Sequence, residues 1–307
     1  MRGLGGFLAY RLFRTLVAIW LVSTVVFVVM RLSGDPVPLL LPPDAPIAEM
    51  ERVRHDLGLD RSLPVQYGVF LGNVVRGDFG RSIHFRQPAM DVARSYLPAT
   101  FELGVVAFVV ALAVAFPIGV LSAVRRNSFL DHAAMGLALF GQSAPTFFIG
   151  ILLILTLALR LDLFPTSGRG DWRNLVLPAL TLGAFTMASI ARITRSAVLE
   201  VLRADFVRTA RAKGVPELWV VAKHTLRNAA LPILTITGLQ FGTLLGGAVV
   251  TETVFAWPGI GRLAIQSIYN RDYPVVQSTV FIAAVLFIAI NLVLDILYGV
   301  LDPRARA

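Results

Sequence analysis

The sequence predicts an all-α integral membrane protein with six transmembrane helices, a small external cap and a cytoplasmic loop that contains a short helix. Hydrophobic residues make up 56% of the chain and charged residues only 15%, whereas about a quarter of an ordinary soluble domain is charged. The mean hydropathy is +0.72. The apolar residues lie in long runs, and about 18 such residues in a row are enough to cross the hydrocarbon core as a helix.

Six stretches without charged side chains are the predicted spans. The first is short, but Arg11 and Arg14 in front of it can extend along the helix to the membrane surface. No small-residue cleavage site follows it, so we interpret it as a retained helix and not as a secretory signal. In chain order the six stretches are residues 15–30, 103–124, 133–159, 174–191, 228–251 and 273–294.

The charges between the spans predict the topology. Lysine and arginine are in clear excess over acidic residues in the two terminal tails and in the loops at 125–132 and 192–227. The segments on the other side, above all 31–99, carry nearly balanced charge. Because basic loops stay in the cytoplasm, both termini are predicted to be cytoplasmic. The net charge of +9 therefore follows from topology, and we expect no nucleic-acid partner.

The predicted organisation has three parts. Residues 1–31 hold the cytoplasmic tail and the first transmembrane helix. Residues 32–98 form an extracytoplasmic segment long enough for a small cap. Residues 99–307 form a five-helix transmembrane core, whose cytoplasmic loop at about 199–230 is the most informative part of the chain.

That loop has the end signals of a short helix at 204–213. Asp205 is the predicted N-cap, Gly214 suits a left-handed position just past the end, and Pro216 prevents continuation. A second short helix is predicted to start at Pro216 and to run towards Arg227. The loop is therefore predicted to be two short helices broken at a glycine.

The first of these helices is amphipathic. Arg208 and Arg211 lie three residues apart and share one face, while Phe206 and Ala210 lie four apart and share another. Such a helix either rests on lipid headgroups or docks into a groove of another protein. Composition alone does not decide between the two.

Residues 208–214 (RTARAKG), followed by Leu231 and Pro232, resemble the EAA loop of the permeases of ATP-binding-cassette (ABC) importers. Two positions depart from the general pattern, since Arg208 replaces its Glu and Thr209 replaces its first Ala. The long spacing from Gly214 to Leu231 resembles that of the dipeptide/oligopeptide/nickel branch.

Further segments in chain order carry the same resemblance over nearly the whole sequence. The long segment after the first span resembles the B-type, binding-protein-dependent permease of that branch. The resemblance implies one half of a translocation pathway for di- or oligopeptides, with glutathione and nickel chelates as alternative cargoes. The matching segments are residues 57–60, 64–67, 77–80, 97–100, 251–262 and 302–304.

The resemblance also implies partners and a coupling site. It implies a multi-pass protein of the bacterial cytoplasmic (inner) membrane, surrounded by lipid. It also implies assembly with a second homologous permease, two ATPase subunits and an extracytoplasmic substrate-binding protein. The loop is implied to form the coupling helix, which sits in a cleft of the ATPase. The coupling residues are expected to be Asp205, Phe206, Arg208, Thr209, Ala210, Arg211, Ala212, Lys213 and Gly214.

No cofactor is expected on this chain itself. ATP hydrolysis needs a Gly-x4-Gly-Lys-Ser/Thr loop, and neither Lys213 nor Lys223 lies in one, so ATP and Mg²⁺ are expected on the partner subunits. The four histidines are scattered, so we expect no metal site and no catalytic residue.

The ionisable residues near the spans argue against other kinds of transporter. An ion-coupled secondary transporter usually carries such groups near the membrane midplane, but Glu102 lies near the outer end of the second span and Asp295 in the last third of the sixth. A passive channel would leave the coupling-like loop unexplained.

Two features of the later spans have two interpretations each. Gly238, Gly242 and Gly246 fall on one face of the fifth span, either as a permease–permease or pore-lining seam or as ordinary packing within the chain. Pro145 and Pro178 are expected to bend the third and fourth spans, either as simple kinks or as bends used in alternating access.

The segment that follows the fifth span supplies candidates for an external gate. These are Glu252, Trp257, Pro258 and Gly259. An aromatic anchor at the membrane interface explains Trp257 equally well.

Overall fold

The structure, a computed structural model, describes residues 4–32, 34, 37–42, 45–56 and 58–301. In these ranges the chain is helical and has no strand, apart from one isolated bridge between Arg81 and Pro88. The motif residues 302–304, residue Leu57 and the side chain of Asp295 lie outside the described part. The chain divides into two compact units, Met1–Pro98 with Gly259–Ala307, and Ala99–Pro258.

The first unit is built on its two long terminal helices. Its core contains Val74, Phe79, Met90, Leu263 and Val275. The predicted cap segment 32–98 contributes three short helices to this unit. The helices of the unit are α1 (Leu4–Leu32), α2 (Val37–Leu40), α3 (Ile47–Asp56), α4 (Leu63–Arg76), α13 (Ile260–Tyr269) and α14 (Tyr273–Leu301), with the first turns of α5 (Ala89–Val124).

The second unit holds the middle of the chain. Its helices are α5 (Ala89–Val124, from Ala99 onwards), α6 (Phe129–Ser143), α7 (Thr146–Leu153, continued by a π-helical segment Ile154–Arg160), α8 (Trp172–Leu202), α9 (Asp205–Ala212), α10 (Glu217–Trp219, continued by a π-helical segment Val220–Thr225), α11 (Leu226–Gly246) and α12 (Ala248–Val254).

The prediction of an all-α membrane protein is confirmed. Four helices in the described ranges are long and apolar enough to cross a membrane, and they contain Tyr10–Val29, Ala89–Val124, Trp172–Leu202 and Tyr273–Val293. Two bent pairs pass the same test, Phe129–Ser143 with Thr146–Arg160 at 116° and Glu217–Leu244 with Ala248–Val254 at 54°. The predicted count of six holds when each bent pair is one span.

The two prolines that were expected to bend their spans differ: Pro145 breaks the third span, and Pro178 lies within a continuous helix. Ala144 adopts the extended conformation that a following proline favours, and Pro145 caps α7, so the third span is broken there. Pro178 lies buried inside α8, which continues through it to Leu202.

Small residues bring α5 and α8 close together in the second unit. The small residues Ala107, Ala111, Ala115 and Gly119 recur every four residues on α5, and all are buried. A methyl group added at Gly119 would lie 2.6 Å from the carbonyl oxygen of Ala191 on α8. The two helices therefore approach as closely as their backbones allow.

The predicted glycine face of the fifth span does not show such close packing along its whole length. Gly242 is buried, but Gly246 is exposed, and an added methyl group there would meet nothing within 4 Å. Gly246 is therefore not needed for close packing within the second unit. A role for Gly238, Gly242 and Gly246 in a seam with another chain stays a prediction.

Candidate functional site: the loop between α8 and α10

The loop after α8 folds into the short helix α9, Asp205–Ala212. Ala204 has an extended backbone, and its carbonyl accepts hydrogen bonds from the amides of Val207 and Arg208 at 3.1 and 3.3 Å. Ala204 is therefore the N-cap, and the prediction of Asp205 at that position is wrong by one residue. The exposed Asp205 carboxylate lies instead in the first turn, where it suits the helix dipole and approaches Arg208 at 3.5 Å.

The predicted end of this helix is confirmed. Gly214 has a left-handed backbone with φ of +75°. Its amide donates to the carbonyl of Arg211 at 2.9 Å, and the amide of Val215 donates to the carbonyl of Ala210 at 3.2 Å. This pair of bonds is a Schellman motif, in which glycine is favoured because a side chain is strained at positive φ.

One face of α9 is buried against the neighbouring helices. Val207 and Ala210 pack with Val220, the first residue after α10. Partly buried residues surround them, namely Val201, Leu202 and Val215. Ala210 is only 8% exposed, so its side chain packs within this chain and holds α9 in place, and its part in coupling stays a prediction.

The opposite face of α9 is open. Phe206 is 45% exposed on a surface that is otherwise polar and basic. Phe206 lies one turn before Ala210 on the same side of the helix, as predicted, but it is exposed whereas Ala210 is buried. The other exposed residues of this surface are Asp205, Arg208, Thr209, Arg211, Ala212 and Lys213. We call these exposed residues, with Phe206, the outer face of α9.

An ion pair crosses the turn at Gly214. The guanidinium of Arg211 donates to both carboxylate oxygens of Glu217, at 3.0 and 2.6 Å, which raises the pKa of Arg211. This pair was not predicted from the sequence, although a basic and an acidic residue on either side of a predicted turn are a usable signal. It ties the end of α9 to the start of α10.

The helix after the turn does not end near Arg227 as predicted. Pro216 caps α10, and the helix then runs through the π-helical segment Val220–Thr225 into α11 without a break. The loop is therefore one short helix folded against the start of a long helix.

A second ion pair holds α6 to α8. Arg195 on α8 donates to both oxygens of the buried Asp131 carboxylate, at 2.6 and 2.8 Å. The amide of Asn127 donates to the same carboxylate at 2.9 Å, and Ser128 caps α6 by accepting from the Asp131 amide. Neither Asp131 nor Arg195 was predicted as a site residue, because nothing local marks a pair whose members lie 64 residues apart in the sequence.

Comparison with known proteins decides the family. Residues 115–307 match the binding-protein-dependent transport system inner membrane components, and residues 4–104 match the N-terminal region of such membrane components. The chain belongs to this family. It is an ABC-importer permease subunit of the dipeptide/oligopeptide/nickel type, as its motifs indicated, and a multi-pass protein of the bacterial inner membrane. The alternative of an ion-coupled secondary transporter is therefore wrong.

Relatives of this permease match it over almost its full length. It is 44% identical to the glutathione transport system permease protein GsiC of Escherichia coli K12 over 297 residues, which is 96% of this chain and 97% of that protein. The MetNI methionine ABC transporter has the same fold, with a TM-score of 0.57 and 19% identity over 69% of this chain and 97% of that one. The structure of an amino acid ABC transporter matches with a TM-score of 0.52 and 18% sequence identity. That match covers 70% of this chain and 94% of the other.

The permease has a second polar cluster, around Trp257. The indole Nε1 of Trp257 donates to the carbonyl of Ala99 at 2.8 Å, and the side chain is 1% exposed. The interpretation of Trp257 as an interface anchor is wrong, because an anchor must reach the membrane surface. The Arg169 guanidinium lies 6.0 Å from the indole ring and donates to Glu102 at 3.0 and 2.6 Å.

Of the remaining gate candidates, Glu252 lies buried close to this cluster. Glu252 on α12 is buried and accepts a hydrogen bond of 2.6 Å from the Thr100 hydroxyl. Pro258 is half-buried, and Gly259 belongs to the first unit, where it precedes α13. Their role in gating stays a prediction. In the described part of the permease, no group of three His, Asp or Glu side chains is placed to hold a metal ion.

Proposed function

We propose that this permease forms half of the translocation pathway of an importer for short peptides, with glutathione as a substrate. The 44% identity to a glutathione permease across 96% of the chain carries the proposal. Glutathione is itself a tripeptide, so the peptide and glutathione interpretations of the sequence belong to one substrate class. Nickel chelates are the cargo that this relationship does not favour.

The outer face of α9 is proposed to bind the ATPase in the cytoplasm. An exposed phenylalanine among basic residues is an anchor that a cleft in another protein can cover. Phe206 has this position, and the excess of basic residues in its loop supports a cytoplasmic location by the positive-inside rule. Both chain termini are then cytoplasmic as well.

The proposed assembly contains this permease, a second homologous permease, two ATPase subunits and an extracytoplasmic binding protein. ATP and Mg²⁺ bind the ATPases, and their closure displaces α9. The packing of Val207 on Val220 and the Arg211–Glu217 pair support the transmission of that displacement into α11. The translocation path then alternates between its two open states.

The deciding experiment is uptake of radiolabelled glutathione into proteoliposomes that contain the complete assembly. We expect uptake that requires ATP and the binding protein and that di- and tripeptides inhibit competitively. Uptake without ATP would overturn the importer mechanism. Uptake of nickel chelates with no uptake of glutathione or peptides would overturn the substrate.

A further inference from the structure

Two adjoining cavities lie in the first unit, at the end of α1 where its apolar stretch stops. One has a volume of about 270 Å³ and is lined by polar residues of α3, α4 and α14. The other, of about 590 Å³, is lined mainly by apolar side chains, with Arg54 as a further basic residue at its wall. Phe27, Arg31 and Gln66 line both cavities, so they form the boundary between a polar and an apolar compartment.

The boundary residues carry polar atoms that lack partners. Gln66 is 9% exposed, and its amide nitrogen donates to the carbonyls of Leu59 and Arg61, at 3.1 and 2.7 Å. Its Oε1 atom is buried with no hydrogen-bond partner in the described structure. The same holds for Nε of Arg31, whose guanidinium lies 5.2 Å from the ring of Phe27. Buried polar atoms without partners are costly, which points to a ligand that satisfies them.

The charges of the polar cavity define the chemistry of that ligand. Arg31 and Arg61 line it and favour an anionic group, to which guanidinium groups donate strong charge-assisted bonds. Asp56 lines the same cavity and can accept from a cationic group. Two basic residues and one acidic residue match a ligand that carries a phosphate with an ammonium group close by.

The apolar cavity adds the second half of the recognition. The apolar stretch Tyr10–Val29 ends two residues before Arg31, so Arg31 lies at a membrane–water interface. Val28, Leu32 and Leu63 line the apolar cavity and are largely exposed within this chain. A soluble anion would leave this compartment empty, whereas an acyl chain would fill it.

We propose that these two cavities bind one phospholipid molecule at the membrane interface. Its phosphate contacts Arg31 and Arg61 in the polar cavity, and its acyl chain lies along Val28 and Leu32. Asp56 makes ethanolamine the favoured headgroup, because its ammonium group pairs with the carboxylate. The site is separate from the substrate proposal, since its ligand comes from the bilayer.

Native mass spectrometry of the delipidated, detergent-purified importer tests the site directly. With added dioleoyl phosphatidylethanolamine, we expect the wild type to retain one tightly bound lipid more than the Arg61→Gln variant. The loss of a charge-assisted contact lowers affinity by about tenfold or more. Arg31→Gln is expected to act in the same direction. Arg52→Gln is the matched control, because Arg52 is an exposed arginine of the same cap that lines neither cavity.

Headgroup competition tests the chemistry. Phosphatidylglycerol is expected to bind more weakly than phosphatidylethanolamine to the wild type, and Asp56→Asn is expected to remove that preference. Equal lipid retention by the wild type and Arg61→Gln would overturn the proposal. Displacement of the lipid by inorganic phosphate or by glutathione at equal concentration would also overturn it. Glutathione uptake is measured separately, so failure of the lipid site and failure of the proposed transport are distinguished.

Discussion

Arg211 donates two hydrogen bonds, of 3.0 and 2.6 Å, to the carboxylate of Glu217 across the turn at Gly214. Both side chains are about half exposed, so the pair contributes only about 0–1 kcal/mol to stability. Its importance is geometric, since it holds the end of α9 against the start of the helix that becomes α11. The proposed coupling requires such a rigid connection.

Arg211→Gln and Glu217→Gln are each expected to lower glutathione-stimulated ATP hydrolysis in the reconstituted importer by up to about fivefold, the effect of about 1 kcal/mol. The double exchange Arg211→Glu with Glu217→Arg restores the pair and is expected to recover most of the activity. If the double exchange is as impaired as the single variants, the residues act separately, and the connection across the turn does not matter.

Gly214→Ala is expected to destabilise the loop by about 1 kcal/mol, because alanine is strained at a φ of +75°. Gly214→Asn should cost less, since asparagine tolerates this conformation, so the ranking is glycine, asparagine, alanine. Glutathione uptake and thermal unfolding of the purified complex test this ranking of the three residues. Gly72→Ala is the control, because Gly72 lies inside α4 with open space around it. Equal behaviour of the Asn and Ala variants would contradict the argument from backbone strain.

Phe206→Ser is expected to remove the ATPase subunits from a pull-down of the tagged permease while leaving the second permease bound. Truncation of an interface anchor typically weakens binding by 2 kcal/mol or more, which is about thirtyfold. Val207→Ser, one residue away on the buried face, should instead lower the thermal stability of the permease. ATPase recovery that is undiminished in the Phe206 variant would argue against the outer face of α9 as the docking surface.

Gly119→Ala is expected to destabilise the second unit by about 1–3 kcal/mol, because the added methyl group would overlap the Ala191 carbonyl on α8. Gly246→Ala is the matched change in open space and should be neutral or slightly stabilising. Fluorescence-detected size-exclusion chromatography after heating compares the two variants. The packing of α5 on α8 is not as close as described if both variants survive heating equally.

Trp257→Phe is expected to lower stability by about 1–3 kcal/mol, because the carbonyl of Ala99 loses its buried hydrogen-bond donor. Trp172→Phe supplies the comparison, since Trp172 is exposed at the start of α8. Thermal unfolding of the detergent-solubilised permease separates them. An equal effect of both substitutions would indicate that Trp257 acts at a membrane surface after all.

The amino-acid sequence by itself determined the class of the protein and the position of its most informative loop. Long apolar runs require a membrane because of their length alone, and the left-handed turn at Gly214 is specified by one residue and its neighbours. The break at Pro145 is local in the same way. The ordered motifs of the sequence indicated the family, because they match the family's motifs in the same order along nearly the whole chain.

Only the tertiary structure decided which face of each helix is covered. Phe206 and Ala210 lie four residues apart, yet Ala210 packs on Val220 and Phe206 stays exposed, because distant segments supply the covering surface. The Asp131–Arg195 pair likewise joins residues that are far apart in the sequence. Periodicity shows that a helix has faces, but the choice of the buried face depends on how the chain folds back on itself.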